Sequence, residues 1–219
     1  MLGSPIVRQA FQIKGRRDRR TPQQARSRRT RELILDSAVT CFEAHGYDAT
    51  TTAQIARRAR IGVGTLYGYF PDKRAILLEL LGCTTTEIAD YVVVSLDPAL
   101  WHDANPSTSV RTLIDALFHT RTFNPGMQRI LWERYFKDAE FRGTVQRTEQ
   151  RVRLAMVTLF KALKQQERIR IDDFDTAAFV IYNSIEWTAS RLMLGGTPAE
   201  IKRAVDTASD MVSRFLFRD

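Results

Sequence analysis

Cysteine and histidine are scarce, with two and three in 219 residues. Cys41 and Cys83 are too few and too isolated for a disulfide framework or a zinc site, which suits a reducing compartment. There is no Gly-rich phosphate loop, no nucleophile elbow and no pair of metal ligands at i,i+4, so neither an enzyme site nor a cofactor is expected. No apolar run reaches the about eighteen residues that a membrane-spanning helix needs. A secretory leader is not expected, because the basic cluster follows the short apolar start instead of preceding it; an Arg-rich transit peptide is the alternative and the cytoplasm the simpler placement. Strand signals are missing too, which leaves an all-α chain.

What the chain does have is a core and an uneven charge. Hydrophobic residues make up 44% and aromatic residues 10%, ordinary for a folded protein of this length. The net charge of +8 is not spread evenly: residues 1–74 hold 15 Lys+Arg against 6 Asp+Glu, and the remainder holds 18 against 19. Such asymmetry is the footprint of a polyanion partner on one domain.

The stretch from Thr51 to Lys73, TTAQIARRARIGVGTLYGYFPDK, organises the rest. Thr51 followed by Gln54 is a capping box, so a short helix starts at Thr52. Ile55, Ala56 and Ala59 give it an apolar stripe that leaves out Arg57, Arg58 and Arg60. Gly62 caps a second helix from Val63 to about Tyr69, with Leu66 and Phe70 inward and Thr65 and Tyr67 outward. Helices this short need a third to pack on, as in helix-turn-helix units.

The string IGVGTLYGYFPDK, preceded by ATTTAQIA, resembles the amino-terminal domain of the tetracycline-repressor (TetR) family of transcription regulators. The resemblance covers about residues 22–80. It implies double-stranded DNA as partner and Thr51, Thr52, Arg60, Val63, Gly64, Thr65, Tyr67, Tyr69 and Lys73 as the DNA-facing set. Within it, Thr65 and Tyr69 are the base-edge candidates; Tyr67, Thr51 and Lys73 would position the phosphate backbone. Arg60 stands where the family usually has a turn glycine, so a non-glycine residue is expected in a left-handed conformation, at about 1 kcal/mol. Gly68 stands where members often carry a large polar side chain facing DNA.

Taken in order, residues 1–20 form a basic arm ending in Arg16, Arg17, Arg19 and Arg20, read either as a solvated tail or, with Arg26, as an added DNA contact. Residues 21–71 are the helix-turn-helix domain and 72–219 a helical effector-binding and dimerisation domain. The first helix runs from Pro22 to about residue 45, with Cys41 as a buried, inert thiol and His45 as a cation at its carboxy-terminal end. Pro71 and Asp72 open a fourth helix to about Val94; Lys73 and Arg74 in its first turn oppose the helix dipole, which a DNA phosphate would offset. A loop spans 95–107. Helices five to nine are expected over about 108–123, 125–137, 138–166, 172–194 and 197–217, nine in all, with Glu149 and Arg153 pairing in the seventh.

Helix eight is apolar nearly all round. Phe174, Ala177, Ala178, Ile181, Ile185, Ala189 and Leu192 line one side, while Phe179, Val180, Tyr182, Trp187 and Met193 lie outside it, so it must be covered twice. Helix nine can cover one side and a second copy of the chain the other; the resemblance likewise implies a homodimer built from the last two helices and a palindromic operator. Phe118, Phe123, Met127, Ile130, Leu131, Trp132, Tyr135 and Phe136 crowd a short span, read as core or, by the resemblance, as the wall of a pocket for a small hydrophobic or aromatic effector. Glu186, Asn183, Tyr182, His119 and Arg121 are its candidate polar anchors. The leading expectation is a ligand-released repressor; the alternatives are an architectural DNA binder and an activator.

Overall fold

The computed structural model describes residues 22–102, 105–119 and 125–217, most of them helical. Ten helices occur among them: α1 (Pro22–His45), α2 (Thr52–Arg58), α3 (Val63–Tyr67), α4 (Lys73–Ser95), α5 (Pro98–Trp101), α6 (Pro106–His119), α7 (Pro125–Lys137), α8 (Ala139–Gln165), α9 (Phe174–Met193) and α10 (Pro198–Leu216). The all-α expectation holds. The only β feature among the described residues is an isolated antiparallel bridge between Ile169 and Phe217.

Boundaries follow the capping chemistry. Thr51 accepts from the Gln54 amide while the Gln54 side chain accepts from the Thr51 amide, and Thr197 and Glu200 repeat the arrangement at α10. Asp173 caps α9 through the Thr176 amide. Two expectations are corrected. The loop at 95–107 contains α5, because Asp97 accepts from the Ala99 amide and Pro98 is preset for a first helical turn; Trp101 closes the turn by donating from Nε1 to the Ser95 carbonyl at 2.8 Å. Moreover, α6 starts at Pro106, where Asn105 accepts from the Thr108 amide at 3.0 Å.

The chain divides into two compact units, and the divisions fall inside α4, after Thr85, and inside α8, after Phe141. One unit takes α1 to α3, the first part of α4, and α7; the other takes the rest of α4, α5, α6, the body of α8, α9 and α10. The sequence reading puts α7 with the carboxy-terminal domain, whereas this division groups it with the helix-turn-helix segment.

In the first unit α1 packs on α2 and on α7, and α2 on α3. Ile34, Ala38, Phe42, Ile55, Ala56, Leu66, Phe70 and Ile76 are buried, which is the apolar set that the helical spacing selects. Gly126 lets α7 come close to α1: a Cβ there would lie 3.4 Å from the Glu43 Cα. In the second unit α10 packs on α6 and α9, around a core that includes Ile114, Phe160, Leu163, Ala178, Ile181 and Val212. Ala177, Ala178, Ile181 and Ala189 of α9 face that core, while Phe179, Val180 and Trp187 stay exposed. Glu149 and Arg153 pair as expected, at 3.4 Å. No helix among the described residues is long and apolar enough to cross a membrane.

Candidate nucleic-acid interface

The loop after α1 and the two short helices build one polar edge. Gly46 ends α1 at φ +78°, a conformation that favours glycine, and Arg60 takes the turn between α2 and α3 at φ +58°. The second value matches the expected strained turn. Gly62 is the N-cap of α3, without a side-chain bond. Leu66 and Phe70 point into the core, leaving Val63, Gly64, Thr65 and Tyr67 on the exposed face. Tyr67 is 51% exposed, and its hydroxyl lies 3.0 Å from the Thr52 hydroxyl, so the start of α2 and the end of α3 are joined at the edge.

The helix is shorter than expected. It stops at Tyr67 because Gly68 closes it as a C-cap, where an added Cβ would meet the Thr65 carbonyl oxygen at 3.3 Å. Tyr69 therefore lies beyond α3 and is half-buried. Gly64 shares its setting with Gly82 of α4, and of the two it is the one exposed on this edge. It sits inside α3 with ordinary backbone angles, and a Cβ added there would meet nothing within 4 Å.

The cations divide by chemistry. Arg26, Arg28, Arg29, Arg57, Arg58 and Arg60 are exposed. Arg57 and Arg58 lie outside the apolar stripe of α2, and their exposed placement in its last turn makes them part of the candidate surface. Lys73 behaves otherwise. Its ammonium donates to the carbonyls of Tyr47, Asp48 and Thr50 at 2.7, 2.9 and 2.9 Å. The reason offered for a cation in this first turn, a nearby DNA phosphate, is thus corrected: three internal acceptors favour it there. Arg74 likewise pairs with Asp138 and Glu140, each at 2.8 Å.

Burial pushes the Cys41 thiol up, against the opposing pull of Arg58 and Arg57, which fits an inert core cysteine. Arg16, Arg17, Arg19, Arg20, Phe123 and Arg121 lie outside the described residues, as do the side chains of His119 and Cys83. The residues of the expected pocket wall belong to both units. Phe118 is buried in the core of the second unit, while Met127 and Ile130 are buried in the first. Leu131, Trp132 and Tyr135 are half-buried and Phe136 is 66% exposed; Trp132 and Phe136 stack and Tyr135 meets both edge-on, with centroids 5.3 to 6.2 Å apart. A groove occurs elsewhere in the second unit. It is lined by Tyr91, Ser95, Leu100, Trp101, Thr108, Ser109, Thr112 and Leu113 and holds about 230 Å³. Among the described residues no cluster of His, Cys, Asp and Glu could hold a metal ion.

Residues 34–80 match the family described as bacterial regulatory proteins, tetR family. This is a tetR-family domain. It takes in α2, α3 and the turn between them. Over 123 residues the chain is 29% identical to the HTH-type transcriptional repressor KstR of Mycobacterium tuberculosis, a match that takes in 56% of this chain and 54% of KstR. The chain thus spans about half the length of that relative. In fold it is similar to SmeT, the repressor of the Stenotrophomonas maltophilia multidrug efflux pump SmeDEF, with a TM-score of 0.67, 20% identity and coverage of 86% of this chain and 91% of SmeT. It is also similar to the transcriptional regulator FadR of Bacillus subtilis in complex with stearoyl-CoA, with a TM-score of 0.66, 16% identity and coverage of 82% and 96%. Both likenesses are of fold and extend over most of the chain, beyond the tetR-family domain.

Proposed function

We propose that the chain is a cytoplasmic, homodimeric transcription regulator that binds a palindromic operator through α2 and α3 and is released from it by a small, largely apolar ligand. Gly64 carries the DNA part of this reading. A glycine inside a helix costs roughly 0.5–1 kcal/mol relative to alanine, and nothing in the fold calls for one here, since its missing side chain leaves only open space. Close approach of a partner to the backbone accounts for it. The exposed Thr65 and Tyr67 beside it supply a hydroxyl and a methyl for base edges and a phenol for phosphate.

The homodimer rests on the side of α9 that its own unit leaves open. Phe179, Val180 and Trp187, with Met211 and Phe215 of α10, form an apolar surface of the sort that a second copy covers. Two-fold symmetry would set two α3 helices about 34–36 Å apart, one DNA turn. For the ligand, FadR of Bacillus subtilis with stearoyl-CoA offers a precedent of similar fold. The groove at Tyr91, Trp101 and Thr112 replaces the aromatic cluster of α7 as the candidate seat, because it is open whereas Met127 and Ile130 are buried.

Selection of duplexes from a random library, followed by affinity measured on the selected and on scrambled DNA, tests the reading. A palindromic consensus bound at least about a thousandfold more tightly is expected. The second reading, an architectural binder, is favoured by the lack of side chains at Gly64 and Gly68, which removes two potential base readers. Equal affinity for selected and scrambled DNA would establish it.

A further inference from the structure

The loop that leads from α1 into α2 is held by a residue from far along the chain. The Tyr47 ring is buried against Phe42, with centroids 5.3 Å apart, and two cations lie over it: Lys73 Nζ at 4.6 Å and Arg134 Cζ at 4.5 Å from its centroid. Lys73 also holds the carbonyls of Tyr47, Asp48 and Thr50, and Thr50 Oγ1 donates to the Gly46 carbonyl at 2.7 Å. The next residue is Thr51, the N-cap of α2. All these partners but one come from residues 42–73. The exception is Arg134 of α7, whose Nη2 donates to both Asp48 carboxylate oxygens at 3.1 and 3.2 Å, 86 residues away in sequence.

Arg134 is an expensive choice for a purely space-filling role. Its side chain is only 16% exposed, and its Nε is buried without a hydrogen-bond partner. An apolar residue would avoid that desolvation; Nη2 also meets Glu133 Oε1 at 3.1 Å on its own helix, which fixes the guanidinium, and a guanidinium so held that must reach both the Tyr47 face and the Asp48 carboxylate admits one pose of the loop. The close contact of Gly126 with Glu43 sets α7 against the end of α1 from which this loop departs.

We infer that Arg134 is a positioning residue for DNA binding: through Tyr47 and Asp48 it sets the pose of the 46–50 loop, and hence of the start of α2. The inference rests on the DNA-binding reading above. It makes the DNA-binding unit discontinuous in sequence, with α7 as a member of it.

The test uses the full chain, with a fluorescein-labelled duplex selected by the wild type, and reads operator affinity, amide hydrogen exchange at 46–51 and melting temperature. Arg134→Met, which keeps length and removes charge, should weaken operator binding about 5–30-fold, the range that a desolvated cation–aromatic contact supports. It should also speed exchange at 46–51 while leaving exchange in α9 and α10 unchanged. Arg134→Lys, which keeps a cation near the ring, should recover most of the affinity. Tyr47→Leu should match Arg134→Met, and the double variant should lose no more than either single one. Wild-type affinity and exchange in Arg134→Met would overturn the inference, as would a uniform rise in exchange that Arg134→Lys does not repair. If the wild type selects no DNA, the DNA-binding reading falls, and exchange at 46–51 still decides the role of Arg134.

Discussion

Arg74 grips Asp138 with a two-pronged contact, Nε to Oδ2 at 2.8 Å and Nη2 to Oδ1 at 2.9 Å. The same carboxylate accepts from the amides of Glu140 and Phe141, so it caps α8 while it holds the first turn of α4. The Arg74 guanidinium, and then the Phe141 amide, hold the Asp138 carboxyl down at about 2.

A depressed carboxylate pKa means that the contribution to stability is complete above the unfolded value, 3.8, and is lost as pH falls toward about 2. Melting temperature should therefore drop between about pH 4 and pH 2 more steeply in the wild type than in Asp138→Asn. At neutral pH, Asp138→Asn keeps a capping oxygen and should cost about 1 kcal/mol, and Asp138→Ala about 2. Parallel pH profiles for wild type and Asp138→Asn would show that the contact contributes nothing.

Gly64→Ala separates stability from binding, because the two should move in opposite directions. The added methyl meets open space and favours the helix, so unfolding should become harder by about 0.5–1 kcal/mol. Operator affinity, read by anisotropy, should fall in the same variant. A protein that is both more stable and equally tight on DNA would remove the argument for close backbone approach.

The Thr52–Tyr67 contact predicts coupled losses. Tyr67→Phe and Thr52→Val should each weaken binding to selected and scrambled DNA alike, by about 1 kcal/mol, and the double variant should lose little more than either. Additive losses would mean that the two hydroxyls act separately.

Association should respond to Val180→Arg, which places a charge in the exposed apolar surface of α9. The wild type should sediment as a dimer at micromolar concentration and Val180→Arg as a folded monomer. Ala178 is the wrong place for this experiment, since it is fully buried in its own unit and an arginine there would disrupt folding. A monomeric wild type would end the dimer reading.

Ser109→Phe should fill part of the groove beside Trp101. If a ligand sits there, a compound that releases the wild type from its operator should act on this variant at least about tenfold more weakly. Unchanged release would place the ligand elsewhere.

Local rules made the helices readable. The Thr51–Gln54 and Thr197–Glu200 boxes and Asp173 at α9 each act through atoms within three or four residues, so the order of residues contains the whole cause. The same holds for the candidate DNA edge, where the spacing from Thr51 to Tyr67 is one contiguous string. The α5 turn and the early start of α6 have local causes too, at Asp97-Pro98 and Asn105-Pro106, but other differences arise at long range. The three acceptors of Lys73 stand 23 to 26 residues earlier, and Phe118 and Met127, close in sequence, belong to different units. Only tertiary packing could distribute Phe118 to one unit and Met127 to the other, and only it could bring Arg134 to Tyr47. Charge pairing and burial depend on which helices pack together, and no periodicity in a single helix encodes the identity of its neighbour.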